Sequence, residues 1–230
     1  MRIDYLSSDI LLFRGDSLAA LATAFIDGER VLLVDALASQ FDALDMRDYL
    51  ENTLRKQVAQ IVLTDAVSMA TVRRWPCSPP RKSRAPDAPA IISWGRHTLE
   101  LHPAHGGLHI DVPGADLMFV GDSIVGNIAV LGATQPDLAD QTLVRLLDRG
   151  RARVVPRTVG AVCNRALGNA RAYLAQLRSR VLELRNTLAP EEAALAIGRI
   201  TIETCIAHGE LATPLERHWH ADNLKRIVAA

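Results

Sequence analysis

The sequence predicts an α/β protein built as an αββα sandwich, in which two β-sheets face each other with helices outside, followed by C-terminal helices. Two observations lead to this class. The chain contains two β-rich stretches, and each is followed by segments in which apolar residues recur at helical spacing. A layered sandwich buries the apolar faces of sheets and helices together. With 230 residues, the chain is long enough to bury a substantial core within a single domain.

The first β-rich half, residues 1–70, reads as β-β-α-β. The runs DILLFRG and TAFIDGERVLLVDAL predict paired strands, with Asp27-Gly28 as the turn and Asp35 at the end of the second run. Residues 41–56 have the apolar spacing of a helix, and Gln60–Leu63 predicts a buried strand after it.

Residues 71–90 predict a loop, because proline and basic residues dominate and no apolar period appears. The basic residues outnumber the single acid, and Trp75 lies among them. They are Arg73, Arg74, Arg81, Lys82 and Arg84, against Asp87. Two interpretations stay open: a contact for an anionic partner, or a solvated loop. The balanced charge of the whole chain favours the solvated loop.

The second β-rich half, residues 91–164, predicts strands in AIISWG, HTLELHPA, LHIDVPG and DLMFVGDS, then a helix over 137–148 and a strand in ARVVP. Residues 165–230 predict C-terminal helices over about 165–185, over NTLAPEEAALAIGRITIETCIAHG, and in the tail PLERHWHADNLKRIVAA. We expect the apolar stripe of AALAIGRITIETCIA to pack into the core. A homodimer interface is the alternative.

Composition limits the classes of partner and the compartment. There are 26 basic and 26 acidic residues, so no global charge attracts nucleic acid or an anionic membrane. No apolar run is long enough for a membrane span, and the first residues lack the apolar core of a signal peptide. The three cysteines form no CxxC pair, which fits a reducing compartment. We therefore expect a cytoplasmic protein that binds neither membranes nor nucleic acid.

Five segments, in order along nearly the whole chain, resemble motifs of the metallo-β-lactamase fold superfamily. FIDGERVLLVDAL resembles the opening strands, which end in an aspartate, and VAQIVLTDAVSMA resembles the strand and loop that normally read T-H-x-H-x-D-H. LHPAHGG is similar to P-G-H-T-P-G, DLMFVGDS to the L-x-F-x-G-D strand, and ARVVPRTVG to V-x-P-G-H-G. The closing W-H-x-x-N-L also resembles the last helix of several hydrolase branches.

The residues that hold metal in this family are mostly replaced. By the resemblance, Asp65 stands at the first histidine of the loop motif and Val67 at the second. Met69 stands at the motif aspartate and Ala70 at the third histidine. His105 and the bridging Asp122 are kept, whereas the last histidine is replaced around Arg157-Thr158.

This replacement implies a degenerate metal site. In the family, one or two metal ions activate water and polarise the substrate. Valine and alanine carry no donor atom, and a methionine thioether is a poor ligand for zinc. We therefore expect no cofactor. The alternative is one zinc, iron or manganese ion held by Asp65, His105 and Asp122.

The sequence thus favours a non-catalytic binding or scaffolding protein, a pseudoenzyme whose old cleft holds a small ligand or a protein partner. The ligand-binding candidates are Asp65, Ser68, His105, Asp122, Arg157 and Thr158. The stretch between Ala70 and His105 is shorter than in the family, which removes part of the wall that an enzyme needs. The alternative is a hydrolase that uses one metal ion at Asp65, His105 and Asp122, or acid–base chemistry of His105 without metal.

Overall fold

A computed structural model describes residues 1–16, 20–64, 81–83, 88–104, 107–132, 135–206 and 211–229. By their contacts, the residues form two compact units. The first unit comprises residues 1–121 and 153–161, and the second comprises residues 122–152 and 162–230.

The first unit contains a six-stranded sheet in the order β1-β2-β3-β4-β5-β6. Its strands are β1 (Arg2–Ser7), β2 (Ile10–Arg14), β3 (Leu21–Asp27), β4 (Arg30–Val34), β5 (Gln57–Val62) and β6 (Arg81–Ser83). The first four strands are antiparallel neighbours, and β5 and β6 are added in parallel. The turn at Asp27-Gly28 therefore forms the predicted hairpin between β3 and β4.

A second sheet of the same unit has the order β13-β10-β9-β8-β7. These strands are β7 (Ala90–Trp94), β8 (His97–Ala104), β9 (Gly107–Val112), β10 (Leu117–Gly121) and β13 (Arg153–Pro156). Neighbours are antiparallel except for β10 and β13, which run in parallel. A short 3-10 turn, Pro113–Ala115, connects β9 to β10.

The two sheets pack face to face through apolar residues at alternate positions of their strands, which share one face of each sheet. Ile10, Phe25 and Val34 of the first sheet share one buried cluster with Leu101 and Phe119 of the second. The intervening residues of the first sheet point the other way, where they pack against a helix. This helix, α1, spans Gln40–Asp48 and continues as a π-helical turn over Tyr49–Thr53.

A polar cluster also joins the two sheets. Asp9, from the turn between β1 and β2, accepts hydrogen bonds from Arg96 at 2.6 and 2.7 Å and from Ser7 at 2.7 Å, and it lies 2.8 Å from His97 Nε2. Burial by itself would raise the pKa of Asp9, but the bonds from Arg96, Ser7 and His97 outweigh it and hold this pKa well below its ordinary value. The carboxylate therefore stays ionised and links the turns of both sheets.

The second unit consists of a small hairpin and helices. Its elements are β11 (Ile124–Val125), β12 (Ile128–Ala129), α2 (Pro136–Asp148), β14 (Val162–Cys163), α3 (Arg165–Thr187), α4 (Pro190–Ile197) and α5 (Pro214–Ala229), with a 3-10 turn over Ile202–Thr204. The buried face of α3 is the apolar stripe that the sequence predicts, with Leu167, Tyr173, Leu174, Leu177 and Val181. Helix α3 packs against α2, α4 and β12.

Helix α5 contacts the hairpin of β11 and β12 at two places: the turn between the strands and the residues at the end of β12. Glu216, which is 4 % exposed, accepts the N–H of Asn127 at the hairpin tip and the N–H of Thr213 before the helix, both at 2.7 Å. At the other end, Asn223 Oδ1 accepts the N–H of Leu131 at 3.0 Å, and its Nδ2 donates to the carbonyl of Ala129 at 2.8 Å. The first residue of this unit, Asp122, thus precedes a firmly anchored hairpin.

The predicted fold class is confirmed: two large sheets are present, with C-terminal helices after them. Two details differ from the prediction: residues 81–83 of the predicted loop form a strand, and the helix from Pro190 ends at Ile197. That helix ends early because Gly198 and the β-branched residues after it favour other conformations. Strand β1 and the hairpin β11–β12 are elements for which the sequence analysis makes no prediction. Among the described helices, none is long and apolar enough to cross a membrane.

Candidate functional site

The candidate residues fall into two groups. Asp65, Ser68 and His105 lie outside the described residues, as do Val67, Met69 and Ala70, so their predicted roles stay predictions. Asp122, Arg157 and Thr158 are described: Asp122 begins the second unit, and the other two follow β13 in the first. For the first group, the structure describes only the residues that flank it in the chain.

Asp35, which directly follows β4, fixes Thr64, the last described residue before position 65. Its Oδ1 accepts the peptide N–H of Thr64 at 2.7 Å, and its Oδ2 accepts the Thr64 hydroxyl at 2.6 Å. Both side chains are buried, and Asp35 takes a positive φ of 62°. Its own N–H donates to the carbonyl of Val62 at 2.8 Å. The carboxylate therefore fixes both the backbone and the side chain of Thr64 at the end of β5.

Thr64 also connects the first sheet to the second. Its carbonyl accepts the N–H of Leu108, in β9, at 2.7 Å. A Cβ at Gly107 would lie 2.4 Å from that carbonyl oxygen, so only glycine permits the approach. The ends of β5 and β9 are thus held together next to the two positions, 65 and 105, where the resemblance places candidate ligands.

A third junction joins β10 to the loop that follows β13. The N–H of Arg157 donates to the carbonyl of Gly121 at 3.0 Å. Gly121 has a positive φ of 53°, which glycine adopts without strain. Arg157 therefore begins its loop beside the residue that precedes Asp122 in the chain.

The loop Arg157–Gly160 carries a strained residue. Val159 has a φ of 68°, and a β-branched side chain in this left-handed region costs on the order of 1–3 kcal/mol. Arg14 holds it: Nη1 of Arg14 donates to the Val159 carbonyl at 3.2 Å, and Nε donates to Asp4 at 2.5 Å.

Thr158, which with Arg157 marks where the resemblance places the family's last histidine, offers a hydroxyl. Its Oγ1 is buried and has no hydrogen-bond partner among the residues that the structure describes. Leaving a buried hydroxyl unpaired costs about 1–3 kcal/mol. Nothing in the sequence signals this orphaned atom or the strain at Val159, because threonine and valine are ordinary residues at the end of a strand.

Within the described part of the chain, no group of three or more histidine, cysteine, aspartate or glutamate residues could hold a metal ion. Because Asp65 and His105 are outside it, the candidate set of Asp65, His105 and Asp122 is untested. His102 and His109 are cross-strand neighbours on β8 and β9, and His218 is exposed.

His220, the other histidine of the H-x-H sequence, has a structural role. Its Nε2 lies 2.9 Å from the carbonyl of Ile200, which can only accept, so Nδ1 accepts the hydroxyl of Tyr173 at 2.8 Å. Asn223 Nδ2 donates to that same Tyr173 oxygen at 3.2 Å. Burial lowers the pKa of His220, despite opposing effects of Ile200 and Glu203, and burial raises the pKa of Tyr173.

No protein-family model matches the sequence, and no curated protein matches it in sequence. Solved structures do match its fold. A metallo-β-lactamase from Pontibacter korlensis is 12% identical with a TM-score of 0.57, over 76% of this chain and 98% of that one. The metallo-β-lactamase FIM-1 from Pseudomonas aeruginosa, in its mono-zinc form, is 12% identical with a TM-score of 0.59, over 76% and 94%.

A third similar structure is Pisa1, a stereoselective inverting sec-alkylsulfatase from Pseudomonas sp.. It is 14% identical with a TM-score of 0.67, and the match covers 98% of this chain and 49% of that one. At such identities the likeness establishes architecture and leaves activity open. The protein described here has the metallo-β-lactamase fold.

Proposed function

We propose that this protein is a non-catalytic binding protein, a pseudoenzyme of the metallo-β-lactamase fold that holds a small ligand or a protein partner where its relatives in fold hold metal. The contact residues in this proposal are those given by the sequence correspondence. They are Asp65, Ser68, His105, Asp122, Arg157 and Thr158.

The observation that carries the proposal is a rigid framework beside positions whose residues, by the resemblance, lack the family's donor atoms. Asp35 orients Thr64, and Thr64 joins β5 to β9. Val159 keeps a strained conformation, and strain of this kind is retained where a site depends on it. Around the position of the motif's last histidine, however, the residues are Arg157 and Thr158.

The replaced residues argue against metal hydrolysis. Val67 and Ala70 offer no lone pair, and Met69 offers only a thioether. A two-metal centre would therefore lack most of its protein ligands. Binding needs only a shaped surface with suitable hydrogen-bonding groups, which these substitutions do not remove.

A second candidate function is hydrolysis with a single metal ion on Asp65, His105 and Asp122. Two observations favour it: the sequence keeps His105 and Asp122, and the fold match to Pisa1, which is named as a sulfatase, extends over 98% of this chain. Three protein ligands and a water suffice for catalytic zinc. A variant of this candidate uses His105 as an acid–base group without metal.

Compartment and oligomeric state belong to the same proposal. The absence of a CxxC pair and the scattered cysteines fit a cytoplasmic protein, and Cys205 is buried as a free thiol while Cys163 is exposed. A homodimer through the C-terminal helices stays a prediction, although the buried Ala193, Ile197 and Ile202 show that much of the stripe packs internally.

The deciding experiment is elemental analysis of protein purified without a histidine tag, alongside Asp122→Ala. A matched control is Asp148→Ala, an exposed aspartate of the same unit. We expect metal far below one equivalent in all three proteins, unchanged after incubation with zinc. Near-stoichiometric zinc, iron or manganese that disappears only in Asp122→Ala would overturn the binding-protein proposal in favour of the hydrolase.

A further inference from the structure

We propose that strand β7 is a self-association surface, at which it pairs antiparallel with β7 of a second copy of this chain. The inference goes beyond the proposed binding function, because it concerns a sheet edge of the first unit and no residue of the candidate site. It follows from the position of β7 in its sheet, from its sequence and from the burial of its side chains.

Strand β7 is the last strand of the second sheet. Among the strands that the structure describes, it pairs with β8 alone, in an unbroken antiparallel register from Ala90 to Trp94. The side of an edge strand that faces away from its neighbour carries peptide N–H and C=O groups that no other strand of the sheet pairs. A regular edge of this kind is a template for another strand.

The sequence of β7 lacks the features that usually protect a sheet edge. Charged residues, prolines and bulges are common at edges because they prevent a further strand from pairing. Strand β1 contains Arg2, Asp4 and a bulge, and β6 contains Arg81 and Lys82. Strand β7 reads Ala-Ile-Ile-Ser-Trp, and the proline beside it, Pro89, lies before the first paired residue. Of these three edges, β7 is therefore the unprotected one.

The core between the two sheets is incompletely covered at this edge. Ala90 and Ile92 pack against the buried cluster but are themselves only partly buried, and Ile91, on the other face of the strand, is 69 % exposed. A two-fold axis through Ile92 places this residue opposite Ile92 of the second copy, and Ile91 opposite Ser93. The apolar side chains on the core side of both strands then cover one another.

Charge favours a second copy as the occupant. In a two-fold pair, the side chains of a strand meet those of the same strand, so an edge with charges of one sign would repel itself. Strand β7 contains no charged residue, and its self-pairing therefore brings no like charges together. A basic or acidic strand, by contrast, would find no opposite charge on β7.

The end of β7 is fixed before any partner arrives. Nε1 of Trp94 donates to the carbonyl of Phe25, in the first sheet, at 2.9 Å, and Cζ of Arg30 lies 4.5 Å from the centre of the Trp94 ring. An ordered edge loses less conformational entropy when it pairs. The strand has only 5 residues, against about 20–30 a side in a standard interface, so we expect a weak and reversible dimer.

The test is sedimentation velocity of the full, reduced chain at protein concentrations from about 1 to about 200 µM, a range that brackets a micromolar dissociation constant. We expect a dimer whose fraction rises with concentration. Ile91→Lys places a charge on the exposed side of the edge and should weaken association at least tenfold, with a melting temperature close to that of wild type. Leu195→Lys is the matched control: Leu195, in α4 of the second unit, is 59 % exposed, and this variant should associate as wild type does.

A cross-link tests the register. Ile92→Cys, in a chain carrying Cys77→Ser and Cys163→Ser, should give a disulfide-linked dimer on mild oxidation, because facing residues of an antiparallel pair have Cβ atoms about 4.5–5.5 Å apart. A wild-type chain that stays monomeric at the highest concentration would overturn the proposal. So would a dimer that Leu195→Lys abolishes and Ile91→Lys leaves intact, or a dimer that Ile92→Cys does not cross-link. These readouts do not depend on metal content, so failure here is distinguishable from failure of the binding-protein proposal.

Discussion

The carboxylate of Asp35 accepts two hydrogen bonds from a single residue, Thr64, at 2.7 Å from its peptide N–H and at 2.6 Å from its hydroxyl. Thr64 in turn accepts the N–H of Leu108 from the other sheet. One buried aspartate therefore fixes the residue at the end of β5 and, through it, the contact between the two sheets.

Removing the Thr64 hydroxyl should destabilise the protein. Thr64→Val keeps the shape but deprives the buried Asp35 carboxylate of one donor, so we expect a loss of about 1–3 kcal/mol in the free energy of unfolding. Urea denaturation at pH 7 measures it. Thr64→Ser is the control: it keeps the hydroxyl and should lose only about 0.8 kcal/mol for the missing methyl group. A Thr64→Val protein as stable as wild type would show that the hydroxyl bond contributes nothing.

The buried His220 should make stability depend on pH in a defined direction. Burial lowers its pKa in the folded state, so below about pH 6.5 the unfolded chain takes up a proton that the folded protein resists. The contribution of His220 is therefore full above that pH and is lost as the pH falls toward the folded-state pKa. The free energy of unfolding, measured by urea denaturation at several pH values from 8 down to 5, should fall more steeply for wild type than for His220→Gln.

His218 provides the matched control, since it lies two residues away on the same helix and is exposed. His218→Gln should keep the pH dependence of wild type. When the free energy of unfolding is plotted against pH, His220 can change the slope by at most about 1.4 kcal/mol per pH unit. If the free energy of unfolding of wild type and of His220→Gln depended on pH in the same way, burial would not suppress protonation of this side chain.

Gly126 should tolerate a methyl group far less than Gly132 does. Both have a positive φ, of 57° and 54°, so alanine costs about 1–2 kcal/mol of backbone strain at either position. At Gly126 the new Cβ would also lie 2.3 Å from Glu216 Oε1, whereas at Gly132 no atom lies within 4 Å. Gly126→Ala should therefore lose clearly more stability, on the order of 3–4 kcal/mol, because it disturbs a buried carboxylate. Similar losses for the two variants would indicate that Glu216 moves away freely.

The sequence by itself determined the elements whose signal is local. Asp27-Gly28 between alternating apolar residues predicts the hairpin of β3 and β4, and the stripe from Leu167 to Val181 predicts the buried face of α3. The spacing of apolar residues and the residue types of a turn depend only on neighbouring positions, so the sequence alone is enough to recognise them. The order of the family-like motifs likewise predicted the two-sheet architecture.

The tertiary structure alone decided how distant residues meet. β6 forms because residues 81–83 find the parallel edge of β5, and the hairpin of β11 and β12 is held by Glu216 and Asn223 from the last helix. The positive φ of Val159 contradicts its local preference and persists through contacts of Arg14, far away in the sequence. Such conformations depend on contacts between residues remote in the chain, which no short window of sequence contains.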